Sequence, residues 1–455
     1  MDVCLLTTCG RPYLEEDQSL SRRDTVALTS SNTPMTGSGT QLTKTQNVCK
    51  PQPRKIVDCK ALYRGENTTT LPNVVQVPKE CRLENIVRNC SLLRLAHGYG
   101  MAPITREELD FPIAFSIKVH VNARQVEQLL RTVYRSHNTY CIHVDKKTDE
   151  NVHVIINQIG NCFKNVHIIR HPINLIYASS AHVKVELELM KLCRAKEKTW
   201  KYYINLSGQD FPLKTNLEMV QILKQLQGQN DIENYMLTQF RWKHLMRKTK
   251  IVDRNLITTN ETKEPFPYNL YFRKGSTYGI FSRPFVDFLL EDNFAQLFVN
   301  WSRDITPSEE IVWSTLNSLP WAPGGYSVEV RRADGFHMAK AVIWTFDADY
   351  CQGKVVRSVC VFGSGDLPWL KDRHELFANK FHDDYDPVPL DCLETTLHQR
   401  AFSQDTSALQ WYKYRHLLQV LNDRFQKVIS KVTSRQQFLV KEKNKWLREH
   451  YTGVT

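Results

Sequence analysis

The chain has 455 residues, 42% hydrophobic and 24% charged, an ordinary globular balance in more length than one average domain needs. Its formal net charge of +12 admits nucleic acid, an anionic substrate or a membrane surface as partner. The charge is spread widely and neither paired zinc ligands nor an aromatic-basic RNA signature occurs, which argues against nucleic acid, and no run of about twenty apolar residues points to a transmembrane helix.

Residues 1–55 are rich in Ser, Thr and Gln without an apolar period and read as a disordered leader or stem. The opening MDVCLLTTCGRPYLEED has too short an apolar run and too acidic a flank for a secretory signal. Residues 56–110 carry Cys59, Cys81 and Cys90 among mixed polarity and read as a cysteine-containing irregular stem, so order is expected to begin at Phe111. There FPIAFSIKVHV alternates like a strand, and ARQVEQLLRTVYRS puts Val126, Leu129, Leu130 and Val133 on one helical face. TYCIHVD is a second strand ending on Asp145, which makes a βαβ unit with a parallel sheet. Further strands are predicted at NVHIIR, KYYINLSG and STYGIF, with helices between them, notably SSAHVKVELELMKLCRAK. The fold class is therefore α/β, a doubly wound sheet with flanking helices over residues 111–400, and ligands of such sheets bind at the carboxyl ends of strands. Asp145 and the Ser207-Gly208-Gln209-Asp210 turn lie at such ends. Within residues 401–455, Leu417, Leu421, Phe425, Val428 and Val432 form one stripe among many Lys and Arg, a basic amphipathic helix that docks on its own domain or touches a membrane surface.

The chain has 12 cysteines and none forms a CxxC pair, so the usual zinc spacing is missing. Asn-x-Ser/Thr sequons stand at Asn67, Asn89, Asn205, Asn260 and Asn300, and with the cysteines they favour an oxidising, secretory compartment. Asn205 lies in an apolar strand-like run, where modification is not expected.

Several stretches carry polar chemistry. In Thr306-Pro307-Ser308-Glu309-Glu310-Ile311-Val312-Trp313, Thr306 suits an N-cap, Pro307 the first helical position, and Glu309 closes a capping box. Glu310 then points about one hundred degrees away, free to act as a general base or to complement the helix dipole. The Gly275-Ser276-Thr277-Tyr278-Gly279 turn brings backbone close to a ligand or is a plain loop. Trp344 and Phe346 alternate along AVIWTF, as sugar-stacking faces or as core. Between Asp349 and Lys380, Cys351 and Cys360 bracket Arg357, and Lys380 ends the run. Two fixed cations beside a closed loop form a seat for a diphosphate, unless they lie on a solvated face.

Together these stretches resemble the core 2 and I-branching β-1,6-N-acetylglucosaminyltransferases. The resemblance rests on FPIAFSIKVH, YCIHVDKK, WKYYINLSGQDFPLKTN, GSTYGIFSRPFV, DITPSEEIVW, RSVCVFGSGDLPW and LFANKF, and covers roughly Phe111 to Leu393. It implies a GT-A-like, disulfide-stapled fold and an inverting transferase that uses UDP-GlcNAc to build a β-1,6 branch on O-glycans, of core 2 type, without a metal ion or other cofactor. It also implies a Golgi enzyme with type II membrane association. Arg357 and Lys380 match the family cations that neutralise the departing diphosphate, and Asp145 the aspartate that meets the uridine. Glu310 matches the catalytic base when Trp313 is the anchor. Trp344 matches a tryptophan near the acceptor, and Arg241, Lys243 and Arg247, in FRWKHLMRK, resemble a basic acceptor loop.

The resemblance also implies disulfides Cys351–Cys360, Cys90–Cys162 and Cys59–Cys392. The fourth family bond joins Cys141 to a position held here by Leu189, and Cys193, one turn further on the same helical face, implies a shifted Cys141–Cys193 bond. Cys4, Cys9, Cys49 and Cys81 have no assigned partner. This chain departs from the family at Phe346, where a tyrosine is usual, at Ser207, where a cysteine is usual, and in a shorter stretch between Trp344 and Arg357. Two other readings stay open: a carbohydrate-binding relative without turnover, and a xylosyltransferase of the same fold using UDP-xylose.

Overall fold

Alternation along β1 (Ile113–Val119) builds a core on both sides of it. Ile113, Phe115, Ile117 and Val119 enter one apolar cluster, and Ala114 enters a second on the opposite face. The computed structural model describes residues 57–66, 82–268, 270–326, 329–331 and 337–403. The leader at 1–55, the amphipathic tail from 408 onward, Cys4, Cys9, Cys49, Cys81 and Asn67 lie outside the described residues.

In chain order the remaining strands are β2 (Thr139–Val144), β3 (Val166–Ile168), β4 (Tyr202–Ser207), β5 (Asp210–Pro212), β6 (Asp231–Ile232) and β7 (Tyr235–Met236). They continue with β8 (Arg247–Val252), β9 (Asn255–Thr262), β10 (Arg273–Lys274), β11 (Gly279–Ser282) and β12 (Lys340–Ala341). The last are β13 (Lys354–Val356), β14 (Val359–Val361) and β15 (Phe377–Asn379). A six-stranded sheet runs β3-β2-β1-β4-β11-β6. Its first four strands are parallel, as the βαβ reading requires, while β11 runs antiparallel to both β4 and β6. Every residue of β2 is buried, as expected for a strand covered on both faces. From β1 the chain passes to β2 and β3 on one side and then to β4 on the other, so a topological switch point opens at the carboxyl ends of β1 and β4.

One cluster packs β1 and β2 against Val126, Leu129 and Leu130 of the helix Ala123–Val133; the other packs the opposite face against Val183, Leu187 and Trp313. A smaller sheet, β12-β15-β5, lies beside the large one. Pairing of β15 with β5 sets Asn379 opposite Asp210 and so carries Lys380 to the turn that follows β4.

Order starts before Phe111, contrary to the sequence reading. Short helices at Cys59–Tyr63, Leu83–Ile86, Cys90–Ala96 and Arg106–Leu109 come first, and Ile86, Leu93 and Tyr99 join the same cluster as β1. Local caps support these short elements: Asp58 accepts from Lys60 N and Ala61 N, Asn89 from Leu92 N, and Thr105 with Glu108 forms a full capping box.

Disulfides join Cys59–Cys392, Cys90–Cys162, Cys141–Cys193 and Cys351–Cys360, with Cα separations of 5.4, 5.0, 5.8 and 5.8 Å. Leu189 and Cys193 are both buried on the helix Ala181–Lys196, which faces β2 and its Cys141. No helix among the described residues is long and apolar enough to cross a membrane.

Candidate active site

Asp145 follows β2 at the carboxyl edge of the sheet and is buried. Its Oδ1 accepts from Leu175 N at 3.1 Å and from Lys147 N at 3.3 Å, and its Oδ2 lies 3.4 Å from Lys147 Nζ and 3.8 Å from His120 Nδ1. The carboxylate thus organises the ends of β1 and β2 and the loop that follows β3.

That loop is the part the sequence reading passed over. Leu175 bonds to Asp145, the Tyr177 ring lies 5.5 Å from the Arg357 guanidinium, and the Ala178 carbonyl accepts from Thr306 Oγ1 at 2.8 Å. Four consecutive residues therefore connect the Asp145 shelf, the Arg357 ribbon and the start of the Glu310 helix. The signal that could have found it was its place after a parallel strand, the same rule that singled out Asp145.

Arg357 sits with Ser358 at the tip of the β13–β14 ribbon, with φ of 53° and 64°. Both residues are left-handed, which gives a tight hairpin turn and exposes the guanidinium. The Lys380 Nζ donates to Val356 O at 2.7 Å, beside that turn. Burial, and then the Arg357 charge, push the Lys380 ammonium below the ordinary lysine range. The structure thus brings the two cations to one place, and among the described residues neither forms an ion pair with a carboxylate. Arg357 is exposed and its guanidinium lies 5.5 Å from the Tyr177 ring centroid.

Glu310 stands in the first turn of the helix Glu309–Asn317. Its Oε2 lies 2.5 Å from Lys274 Nζ, and Gly275 N donates to its backbone carbonyl at 2.8 Å. Burial lowers the affinity of Lys274 for its proton, but Glu310 and Tyr235 outweigh it and hold the ammonium above the usual lysine range.

The expected capping box is absent. The helix begins at Glu309, Ser308 holds the cap position with helical dihedrals and no side-chain bond, and the Thr306 hydroxyl is spent on Ala178. Glu309 is the first helical residue rather than the third past the cap, so it cannot reach back. Its carboxyl is buried, and burial first, then the adjacent Glu310, push it up to about 7. The turn at Gly275 also has a definite role. A Cβ there would overlap the Glu233 carbonyl oxygen and Ser314 Oγ, so the close approach is to protein backbone.

Below the site, Ser207 N donates to Asp210 Oδ2 at 2.7 Å, and Asn379 Nδ2 to Asp210 Oδ1 at 2.7 Å. Lys340 pairs with Asp210 and lies 3.7 Å from the Tyr278 ring centroid.

Trp344 and Phe346 do not alternate along a strand as the sequence suggests. β12 ends at Ala341, Trp344 makes one isolated bridge to Val359, and a 3₁₀ turn covers Thr345–Tyr350. That turn lays the two rings nearly parallel, 4° and 6.4 Å apart, with Phe346 80% exposed. Trp344 is half-buried and Phe346 faces solvent, so the pair lies at the surface rather than in the core. FRWKHLMRK is likewise not a loop. Arg241 and Lys243 are exposed on the helix Gln239–Leu245, and Arg247 opens β8. Arg241 Nη1 reaches the Tyr235 hydroxyl at 3.5 Å, and Tyr235 lies against Lys274 at 5.6 Å. Of the sequons, Asn260 and Asn300 are exposed, whereas the buried Asn205 side chain bonds Thr277 O and Gly279 N.

A mixed sheet carrying a buried carboxylate, clustered cations, an acid in a helix first turn and a surface aromatic pair places a candidate ligand site at the carboxyl ends of its parallel strands. Comparison with known proteins gives the chain its family. The Core-2/I-Branching enzyme family matches residues 113–371. Beta-1,3-galactosyl-O-glycosyl-glycoprotein beta-1,6-N-acetylglucosaminyltransferase 3 of Bos taurus is 35% identical over 371 residues, covering 76% of this chain and 83% of that protein. The Homo sapiens protein of the same name without the numeral is 35% identical over 328 residues, 70% of this chain and 77% of its own. Its namesake in Bovine herpesvirus 4 (strain LVR140) is 34% identical over 378 residues, 78% of this chain and 85% of its own. The chain belongs to the Core-2/I-Branching enzyme family and is a glycosyltransferase of O-glycan branching.

Proposed function

We propose that the enzyme moves N-acetylglucosamine from UDP-GlcNAc to the 6-hydroxyl of a galactose or N-acetylgalactosamine, forming a β-1,6 branch of core 2 type, without a metal ion and in the Golgi. The names of its relatives supply the sugar, the linkage and a beta-1,3-galactosyl acceptor. The observation that carries the reading is the Arg357–Lys380 pair: two cations, the second partly buried, without a carboxylate partner among the described residues. A departing UDP develops charge on its diphosphate, and fixed cations stabilise it as it leaves.

In this scheme Glu310 accepts the proton of the acceptor 6-hydroxyl. That oxygen attacks the anomeric carbon from the face opposite UDP, the bond from that carbon to the diphosphate oxygen breaks, and UDP departs with the electron pair. One in-line displacement turns an α-linked donor into a β-linked product. The Trp344–Phe346 platform stacks on the acceptor sugar, Asp145 faces the uridine, and Arg241 and Lys243 flank the acceptor side.

The test is incubation of the protein with UDP-GlcNAc, EDTA and a core 1 disaccharide, with mass spectrometry of the product. A trisaccharide formed in EDTA is expected. Strict need for a divalent ion, or turnover with UDP-xylose alone, sinks the proposal. Glu310→Gln is expected to keep UDP binding and lose about 10²–10⁴-fold in turnover, whereas Arg357→Glu is expected to weaken UDP binding in calorimetry.

A further inference from the structure

We propose that Lys274 is a positioning residue for the carboxylate of Glu310, anchoring one oxygen so that the other faces the acceptor hydroxyl. The inference rests on the reading of Glu310 as the base. Three consecutive residues of the β10 segment fasten the first turns of the helix Glu309–Asn317. Arg273 N donates to Thr315 Oγ1 at 3.0 Å, Lys274 Nζ pairs with Glu310 Oε2 at 2.5 Å, and Gly275 N donates to Glu310 O at 2.8 Å. Ser314 Oγ adds a bond to Glu233 O at 2.9 Å, just before β7. The helix turn that bears Glu310 is therefore bolted to the β7–β10 ribbon through backbone and side chain alike.

The ribbon in turn aims the ammonium. Lys274 is registered opposite Tyr235, so the Tyr235 ring lies beneath Nζ at 5.6 Å. Arg331 packs on the same ring at 5.1 Å, and Glu329 holds Arg331 at 2.8 Å. A Lys side chain has several rotamers, and this stacking selects the one that reaches the carboxylate. Glu310 at a helix start has equal freedom of its own. The ion pair uses Oε2, and Oε1 makes no hydrogen bond among the described residues. A base fixed through one oxygen presents the other in a single direction, which is what an in-line proton transfer requires.

The test compares Lys274→Met, Lys274→Arg, Glu310→Gln and the double variant Lys274→Met/Glu310→Gln in steady-state transfer from UDP-GlcNAc, with UDP calorimetry and thermal midpoints alongside. Lys274→Met is expected to lower kcat by about 10- to 100-fold while UDP affinity and the KM for UDP-GlcNAc stay within about twofold. Lys274→Arg is expected to restore most of the turnover, and the Met change is expected to add nothing in the Glu310→Gln background. Normal kcat in Lys274→Met with an inactive Glu310→Gln overturns the role of Lys274 and leaves the base assignment standing. A fully active Glu310→Gln overturns the base assignment itself. A double variant well below Glu310→Gln alone shows Lys274 acting independently of Glu310 and also overturns the proposal. If Lys274→Met does not fold, Lys274→Arg against Lys274→Gln carries the comparison, and equal turnover in those two overturns it.

Discussion

The carboxyls of Glu309 and Glu310 are adjacent in the chain and meet different surroundings. Glu310 is one-quarter exposed and paired with Lys274, while Glu309 is buried and pushed up to about 7. An acid whose folded pKa lies above its unfolded value stabilises the fold when protonated. That contribution is complete below about pH 4.5 and is lost as pH rises through about 7. Glu309→Gln is therefore expected to raise the thermal midpoint at about pH 8 and to change it little at about pH 4.5. A midpoint difference independent of pH sinks this account. Sequence spacing separated the two acids, assigning Glu309 to a capping box and leaving Glu310 as a general base or a complement to the helix dipole. It chose the wrong structural role, because the Thr306 hydroxyl that should have completed the box is taken by a carbonyl distant in sequence.

At the scale of elements, the joint between the helix Glu309–Asn317 and the β7–β10 ribbon depends on one missing side chain. Gly275 has no room for a Cβ against Glu233 and Ser314. Gly275→Ala must push helix and ribbon apart, with an expected cost of about 1–3 kcal/mol in denaturant unfolding and loss of transfer activity as Lys274 and Glu310 separate. Unchanged stability and turnover in that variant sink the claim. The βαβ unit was legible because period-two and period-3.6 patterns are local. The ribbon was not, because β7 and β10 have two residues each and no pattern can be read in two residues. The same holds for Trp344 and Phe346, whose spacing of two suits a strand but whose chain turns into a 3₁₀ segment.

For the whole molecule, buried titratable groups set an acid limit on stability. Burial lowers His143 and His182 to about 4, each from 6.5. Glu127 is buried too, yet Arg131 and His97 outweigh that and lower it from 4.5 to about 2. Groups lowered by folding contribute fully above their unfolded values and lose that contribution as pH falls. The loss runs from about pH 6.5 to 4 for the histidines and from about 4.5 to 2 for Glu127. The thermal midpoint is expected to fall on acidification through the first window, and a His182→Gln variant to fall less. A flat profile between about pH 6.5 and 4 sinks this reading. Glu127 also ties the early helices to the helix Val388–Ser403, with His97 Nδ1 at 2.8 Å and Arg131 bridging it to Glu394 at 2.5 Å. Early residues that looked like a stem are in this way part of the same packed body as β1.

Local chemistry in the chain was enough for the alternating strands, the apolar helix faces, the carboxyl-end aspartate and the two cations of the Cys351–Lys380 stretch, since each is a matter of residue type at short spacing. Contacts between segments far apart decided the rest. Only packing could turn Glu309 inward, lay Tyr177 on Arg357 and set Lys274 against Glu310, because each arrangement depends on backbone positions that separate strands and loops fix together.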